Sequence, residues 1–198
     1  MTNLSHYFTE NHGLQPNLRT FKYSFGGGEY VFTTDSGVFS TGHIDRNTDI
    51  LIKSIPPLEG SLLDLGCGYG CIGIVLAKEY NLSLVQTDSN PEAIKLASYN
   101  AKQNKVKTNV FVSDGFSQIN GLFNTIVLNP PIHAGKGVVY RLYEGAACHL
   151  AENGEFYIVI LKKHGAPSTL KKLKGLFGTV DYIYKRNGCY VLCCVSPI

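Results

Sequence analysis

The spacing of apolar positions changes part-way along the chain. In residues 1–60 the clearest signal has a period of two. Arg19-Thr20-Phe21-Lys22-Tyr23-Ser24-Phe25 and Glu29-Tyr30-Val31-Phe32-Thr33-Thr34 carry aromatic and β-branched residues in alternation with polar ones. Gly26-Gly27-Gly28 stands between them as a turn, so the two runs predict a β-hairpin. Its alternating aromatics predict one face packed on a core rather than a surface for stacking bases. Ile50-Leu51-Ile52 fits a short helix that Pro56-Pro57 stops.

From residue 61 to 198, short apolar runs alternate with stretches of helical spacing. Leu62 to Leu65, Leu82 to Thr87, Val106 to Val112, Thr125 to Leu128 and Phe156 to Leu161 read as strands. Cys71 to Tyr80, Pro91 to Gln103 and Val138 to Leu150 read as helices, the second capped by Asn90 with Pro91 at its first position. A lysine-rich helix from Pro167 to about Phe177 follows. Val180 to Lys185 and Cys189 to Val195 then form a hairpin around Asn187-Gly188. Strands alternating with helices predict an α/β fold, a Rossmann-like, mostly parallel sheet with right-handed crossovers and an antiparallel C-terminal strand near one edge. Residues 1–60 are then an extension whose hairpin packs on a domain formed by residues 61–198.

Composition narrows this picture only slightly. The 198 residues are 44% hydrophobic and 17% charged, enough apolar material for a sizeable core and too much for a disordered chain. No apolar run is long enough to span a membrane, and the first residues lack the basic and apolar regions of a secretory signal. A cytoplasmic chain with no membrane partner is expected. None of the six cysteines (Cys67, Cys71, Cys148, Cys189, Cys193 and Cys194) stands in a Cys-x-x-Cys pair. They predict free thiols and no metal site. A net charge of +3 permits nucleic-acid binding without arguing for it.

The candidate chemistry lies at two strand ends. Asp64-Leu65-Gly66-Cys67-Gly68-Tyr69-Gly70 follows the first apolar strand of the α/β region and opens a helix. Glycines there allow a tight turn and close approach of a ligand, and the helix aims its amide hydrogens at the same place. Asp88 ends the next strand, where a carboxylate can accept both hydroxyls of a ribose. Asp114 ends the third strand, where it can serve an adenine amine. The layout suits either S-adenosylmethionine (SAM) or a dinucleotide. Asp64 leans toward SAM, since a pyrophosphate gains nothing from a nearby carboxylate, and the spacing is Gly-x-Gly-x-Gly rather than Gly-x-Gly-x-x-Gly.

The second place is Asn129-Pro130-Pro131-Ile132, at the end of the fourth strand. An exocyclic nucleobase amine is a poor nucleophile because its lone pair is delocalised into the ring. The Asn129 carboxamide oxygen and the Pro130 carbonyl can each accept one amine hydrogen, favouring a pyramidal nitrogen with its lone pair free to attack. Proline rigidity keeps these acceptors aimed. A plain Asn-Pro turn is the bland alternative.

The Asp-x-Gly-x-Gly-x-Gly run together with Asn-Pro-Pro resembles class I SAM-dependent methyltransferases. Asn129-Pro130-Pro131-Ile132-His133-Ala134-Gly135-Lys136 is similar to the RsmC-like family of small-subunit ribosomal RNA guanine-N2 methyltransferases and its short single-domain relatives. His6-Tyr7-Phe8 and Thr34-Asp35-Ser36-Gly37-Val38-Phe39-Ser40 extend the likeness toward the N-terminus. The resemblance implies a seven-stranded sheet ordered 3-2-1-4-5-7-6. It implies Gly66, Gly68, Asp88 and Asp114 around SAM, with Asp64, Cys67, Gly70 and Ser89 in the same loops. The segment Val38 to Asp45 is placed over the cofactor, with Asp45 a contact. Asn129 adjoins both cofactor and target amine, and Pro130, Pro131, Ile132 and His133 complete the catalytic segment. The implied partner is RNA, as ribosomal RNA or the small ribosomal subunit, bound by a monomer or small homo-oligomer.

One departure matters. The residue after the second proline is often aromatic in amino-methyltransferases, where it stacks on the base. Ile132 cannot do this. His133 is a candidate for a phosphate contact or proton transfer. Lys162, Lys163, His164, Lys171, Lys172 and Lys174, with Lys136 and Arg141, are candidates for tracking RNA phosphates, or else an ordinary solvated helix face. Asn-Pro-Pro chemistry also fits a protein glutamine amide or a small-molecule amine. The alternative from another class is a non-catalytic binding module that retains the fold.

Overall fold

The computed structural model describes residues 17–35 and 42–198. The similarities at His6-Tyr7-Phe8 and Ser36 to Ser40, and the part of the expected cofactor cover from Val38 to Thr41, lie outside the described residues. An N-terminal hairpin of β1 (Arg19–Phe25) and β2 (Gly28–Thr34) leads into α1 (Arg46–Ser54). The α/β region runs β3 (Ser61–Leu65), α2 (Cys71–Tyr80), β4 (Ser83–Asp88), α3 (Pro91–Gln103), β5 (Thr108–Val112), β6 (Phe123–Leu128), α4 (Lys136–His149), β7 (Leu150–Leu161), α5 (Ala166–Lys174), β8 (Phe177–Arg186) and β9 (Cys189–Pro197). Short 3-10 turns at Ile132–Ala134 and Lys162–His164 precede α4 and α5.

The seven strands from β3 to β9 form one sheet in the order β5-β4-β3-β6-β7-β9-β8. The expected order is the one observed. β9 lies antiparallel between β7 and β8, while the strands from β5 across to β7 pair in parallel. The Asn187-Gly188 turn has both residues at positive φ, 48° and 71°, as a two-residue type I′ hairpin requires.

The central strand sequences, β3, β6 and β7, are apolar on both sides because both faces are covered. Along β7, Tyr157 and Val159 face one core with Leu51, Ile52 and the residues of α2 and α3. Phe156, Ile158 and Ile160 face the other, with Leu142, Tyr143 and Ala146 of α4 and Leu173 of α5. The hairpin joins the first core through Tyr23, Tyr30 and Phe32, all buried, so its aromatics pack inward.

Two asparagines tie the hairpin to α3. Asn100 accepts from the Thr33 amide at 2.8 Å and donates to the Thr33 carbonyl at 2.9 Å. Asn104 does the same for Val31, at 2.9 and 2.8 Å. Each carboxamide stands in for a neighbouring peptide group, satisfying the free edge of β2. Asn100 also donates to the Tyr69 carbonyl at 2.8 Å, linking the hairpin to the loop after β3. Among the described residues, no helix is long and apolar enough to cross a membrane.

Candidate active site

The strand order reverses between β3 and β6, and a cavity of about 430 Å³ opens at their carboxyl ends. This is the switch point where open α/β sheets bind ligands, and the volume falls in the range of roughly 300–1,000 Å³ common for such sites. Its floor is the loop Leu65 to Tyr69. Asp88 and Ser89 follow β4, Ser113 to Gly115 follow β5, and Asn129 to His133 follow β6.

The loop after β3 is shaped by glycine. Gly66, Gly68 and Gly70 all have positive φ, 67°, 55° and 88°. A side chain at Gly68 would meet nothing within 4 Å, so that backbone faces the open cavity and admits a ligand at close range. Gly70 caps α2, and a Cβ there would press on Gln86, Ile74 and Ala97 at 3.0–3.1 Å, so Gly70 serves packing and does not line the cavity. Asp88 braces the loop, its Oδ2 accepting from the Gly68 amide at 2.9 Å and its Oδ1 from the Asn90 amide at 2.9 Å. A carboxylate accepts about four hydrogen bonds, which leaves lone pairs for a ligand's hydroxyls.

Asp64 and Asp45 both hold backbone amides and are absent from the cavity lining. Asp64 is 1% exposed and points away from the cavity, beneath α2. Its Oδ2 accepts from the Gly73 amide at 2.8 Å and from Gln86 Nε2 at 3.0 Å. Burial pushes its pKa up to about 6, although those two hydrogen bonds pull it down. It therefore anchors the loop to the helix. Asp45 is the N-cap of α1, accepting from the amides of Asn47 and Thr48 at 3.0 Å. An aspartate just before a helical run is a capping signal, and that signal identifies its place. Asp114 does line the cavity, with its Oδ1 held by Arg141 at 2.7 Å. Cys67 lines the loop as a buried thiol that desolvation holds well above the ordinary thiol range.

Asn129 is oriented from behind. Its Nδ2 donates to Thr48 Oγ1 at 3.1 Å and to Asp45 Oδ2 at 3.5 Å. An ionised carboxylate only accepts, so the edge facing α1 is the NH2, which leaves the carbonyl oxygen unclaimed by these two partners. Pro131 adopts φ −76° and ψ 77°, an inverse γ-turn, and the Ile132 amide donates to the Pro130 carbonyl at 2.9 Å. The Pro130 carbonyl thus has one lone pair in the turn and one remaining. His133 is exposed at the rim, its ring centroid 6.5 Å from that of His164, which also lines the cavity.

Thr48 and Asn47 were not legible as site residues, because nothing local places α1 against Asn129. His164 carries a weak signal, its position just past the carboxyl end of β7. The lysine cluster divides. Lys162 and Lys163 are exposed in the turn that carries His164 to the cavity, Arg141 pairs with Asp114 of the cavity wall, and Lys172 pairs with Glu144.

The family model described as the methyltransferase small domain matches residues 29–193, most of the chain and every element around the cavity. The chain belongs to the methyltransferase small-domain family. YbxB of Bacillus subtilis (strain 168), an uncharacterized protein, is 40% identical over 94% of this chain and 96% of its own length. The ribosomal RNA small subunit methyltransferase C of Shewanella amazonensis is 33% identical over 84% of this chain, which spans 50% of that relative. The T. thermophilus 16S rRNA N2 G1207 methyltransferase, solved in complex with AdoMet and guanosine, superposes with a TM-score of 0.79 at 25% identity, over 90% of this chain and 50% of that one. This small-domain member is therefore a class I SAM-dependent methyltransferase. The open backbone at Gly68 and the carboxylate of Asp88 fit a nucleoside cofactor.

Proposed function

We propose that this methyltransferase acts on an exocyclic amine of a nucleobase, guanine N2 of small-subunit ribosomal RNA. The supporting observation is the orientation of Asn129. With its NH2 held by Thr48 and Asp45, the carboxamide presents its oxygen as an acceptor. An aromatic amine offers two N–H donors to two neutral acceptors, whereas a hydroxyl offers one and needs a base to take its proton. SAM supplies an electrophilic methyl group. The residues of this chain bind it through the glycine loop and Asp88, and hold the amine by Asn129 Oδ1 and the free lone pair of the Pro130 carbonyl. No base is required before transfer, since the amine gains acidity once methylated. Ribosomal RNA is favoured by relatives named as ribosomal RNA small subunit methyltransferases, and guanine N2 by the similar solved 16S rRNA N2 G1207 methyltransferase; this chain spans about half of each.

Nucleoside mass spectrometry of ribosomal RNA from a deletion strain and its parent tests the proposal. The expected result is loss of one methylguanosine signal, restored by the wild-type gene and not by Asn129→Ala. An unchanged profile would rule out ribosomal RNA and turn the search to transfer RNA, glutamine amides and small amines.

A further inference from the structure

We propose that the β8–β9 hairpin carries a binding track for single-stranded RNA that leads away from the cavity. This rests on the RNA reading above and extends it to a place and a mode of contact.

The hairpin tip adjoins the cavity on two sides. The Lys162 amide donates to the Gly188 carbonyl at 2.7 Å, and Lys162 is two residues from His164 of the cavity wall. Cys189 Sγ approaches Asn47 Oδ1 at 3.9 Å, and Asn47 also lines the cavity. Five cations surround this tip: Arg46, Lys162, Lys163, Lys185 and Arg186. All are exposed, and none forms an ion pair with a described residue. Asp181, the single acid in β8, lies opposite Cys193, on the face that Arg186 shares through Cys189, and away from the face of Tyr182, Lys185 and Tyr190.

Aromatic rings accompany these charges. A bulge in β8 makes Ile183 an extra residue, since Tyr182 pairs with Leu192 and Tyr184 with Val191. In a regular strand Tyr182 and Lys185 would project to opposite faces. The bulge puts them on one face, together with Tyr190. Lys185 Nζ sits 4.4 Å from the centroid of Tyr182 and 5.8 Å from that of Tyr190. Tyr182 is 39% exposed, so part of its ring remains open to solvent. An ammonium held against rings keeps its N–H donors for phosphate, while an exposed ring offers a stacking surface that any base can use. Lysine and arginine beside exposed aromatics are the chemistry of single-strand recognition. A duplex hides its base faces and would use only the charges.

The test uses the full chain and fluorescence anisotropy of a labelled single-stranded oligoribonucleotide over a series of salt concentrations. SAM binding is followed in parallel by calorimetry as the check on folding. For the double variant Lys185→Ala, Arg186→Ala we expect weaker binding and a log K against log salt slope shallower by about 1.4, two phosphate contacts at ~0.7 each. Tyr182→Ala is expected to weaken binding ~5-fold or more at every salt concentration with the slope unchanged. Lys107→Ala, on a distant exposed turn, is the control and should leave RNA binding as it was. If the wild type methylates RNA while the hairpin variants keep its affinity and slope, the track is disproved and the RNA reading stands. If the wild type binds SAM but neither binds nor methylates RNA, both fall. Equal losses on a duplex of the same sequence would remove the single-strand assignment.

Discussion

Asn129 shows how little of a catalytic residue's work is its own. Its motif is visible in the sequence, but the direction of its amide depends on Thr48 and Asp45, which arrive on a different element. Asn129→Ala removes an acceptor aimed at the reacting nitrogen, and turnover should fall about 10²–10³-fold with SAM affinity retained, as single-turnover kinetics and calorimetry would show. Thr48→Val keeps the shape and loses the acceptor, so kcat should fall about five- to tenfold with KM for SAM unchanged. Thr48→Ser should recover most of it. A purely structural Thr48 would shift the unfolding midpoint and not this kinetic split. Asp64 gives a prediction in pH. Its pKa is near 6 in the folded chain and about 3.9 in the unfolded one. The folded state therefore holds its proton more tightly. This stabilisation is complete below pH ~4 and is lost as pH rises through ~6, amounting to roughly 3 kcal/mol. Asp64→Asn can still accept from Gly73 and Gln86, so its urea-unfolding free energy should show a smaller decline over that window than the wild type.

At the scale of elements, the loop after β3 separates two uses of glycine. Gly70→Ala adds a Cβ at φ 88° against three neighbours at 3.0–3.1 Å and should cost about 2–4 kcal/mol of stability. Gly68→Ala faces open space and should cost only about 1–2 kcal/mol, while SAM affinity drops because the methyl projects where the ligand approaches. Thermal unfolding with and without SAM distinguishes the two. The strands and helices were legible from periodicity because the central strands have two covered faces, the N-terminal hairpin one, and the helices one covered face each. The sheet order came with the family resemblance rather than with any period. What escaped the sequence were pairings across distance. Asn100 and Asn104 look like ordinary polar positions on α3, since Thr33 and Val31, whose backbones they satisfy, lie 67 and 73 residues away. Asp45, expected over the cofactor, is a helix cap because its nearest unsatisfied donors are the amides of α1. Ile132 is the converse case. Its lack of an aromatic ring was plain in the sequence, and the rings that stand near the cavity, His133 and His164, come together only in the fold.

Over the whole molecule, burial is reflected in the thiols. Cys67, Cys71, Cys189 and Cys194 are buried, Cys193 is half-buried, and Cys148 is exposed. Desolvation pushes the five shielded thiols upward, that of Cys193 to about 11, which suppresses the reactive thiolate. Thiol titration of the native protein at neutral pH should give one fast equivalent, at Cys148, and six after unfolding. Reaction of several cysteines at the fast rate would mean that the sheet opens far more readily than its packing implies. The two cores also differ in what they gather. One holds α4 and α5 alone against the sheet, while the other draws α1, α2, α3 and the hairpin together.

The hairpin's dependence on Asn100 and Asn104 sets an order of events during synthesis. β1 and β2 leave the ribosome early, yet the amides that complete the edge of β2 are made 67 and 73 residues later. At roughly 5–20 residues per second, the finished hairpin waits some 3–15 s for its partners. Throughout that interval an aromatic-rich ribbon with an unsatisfied edge is open to pairing with other nascent chains. The polar outward positions of β1, Lys22 among them, are then a safeguard for the newborn chain as much as a surface of the mature one.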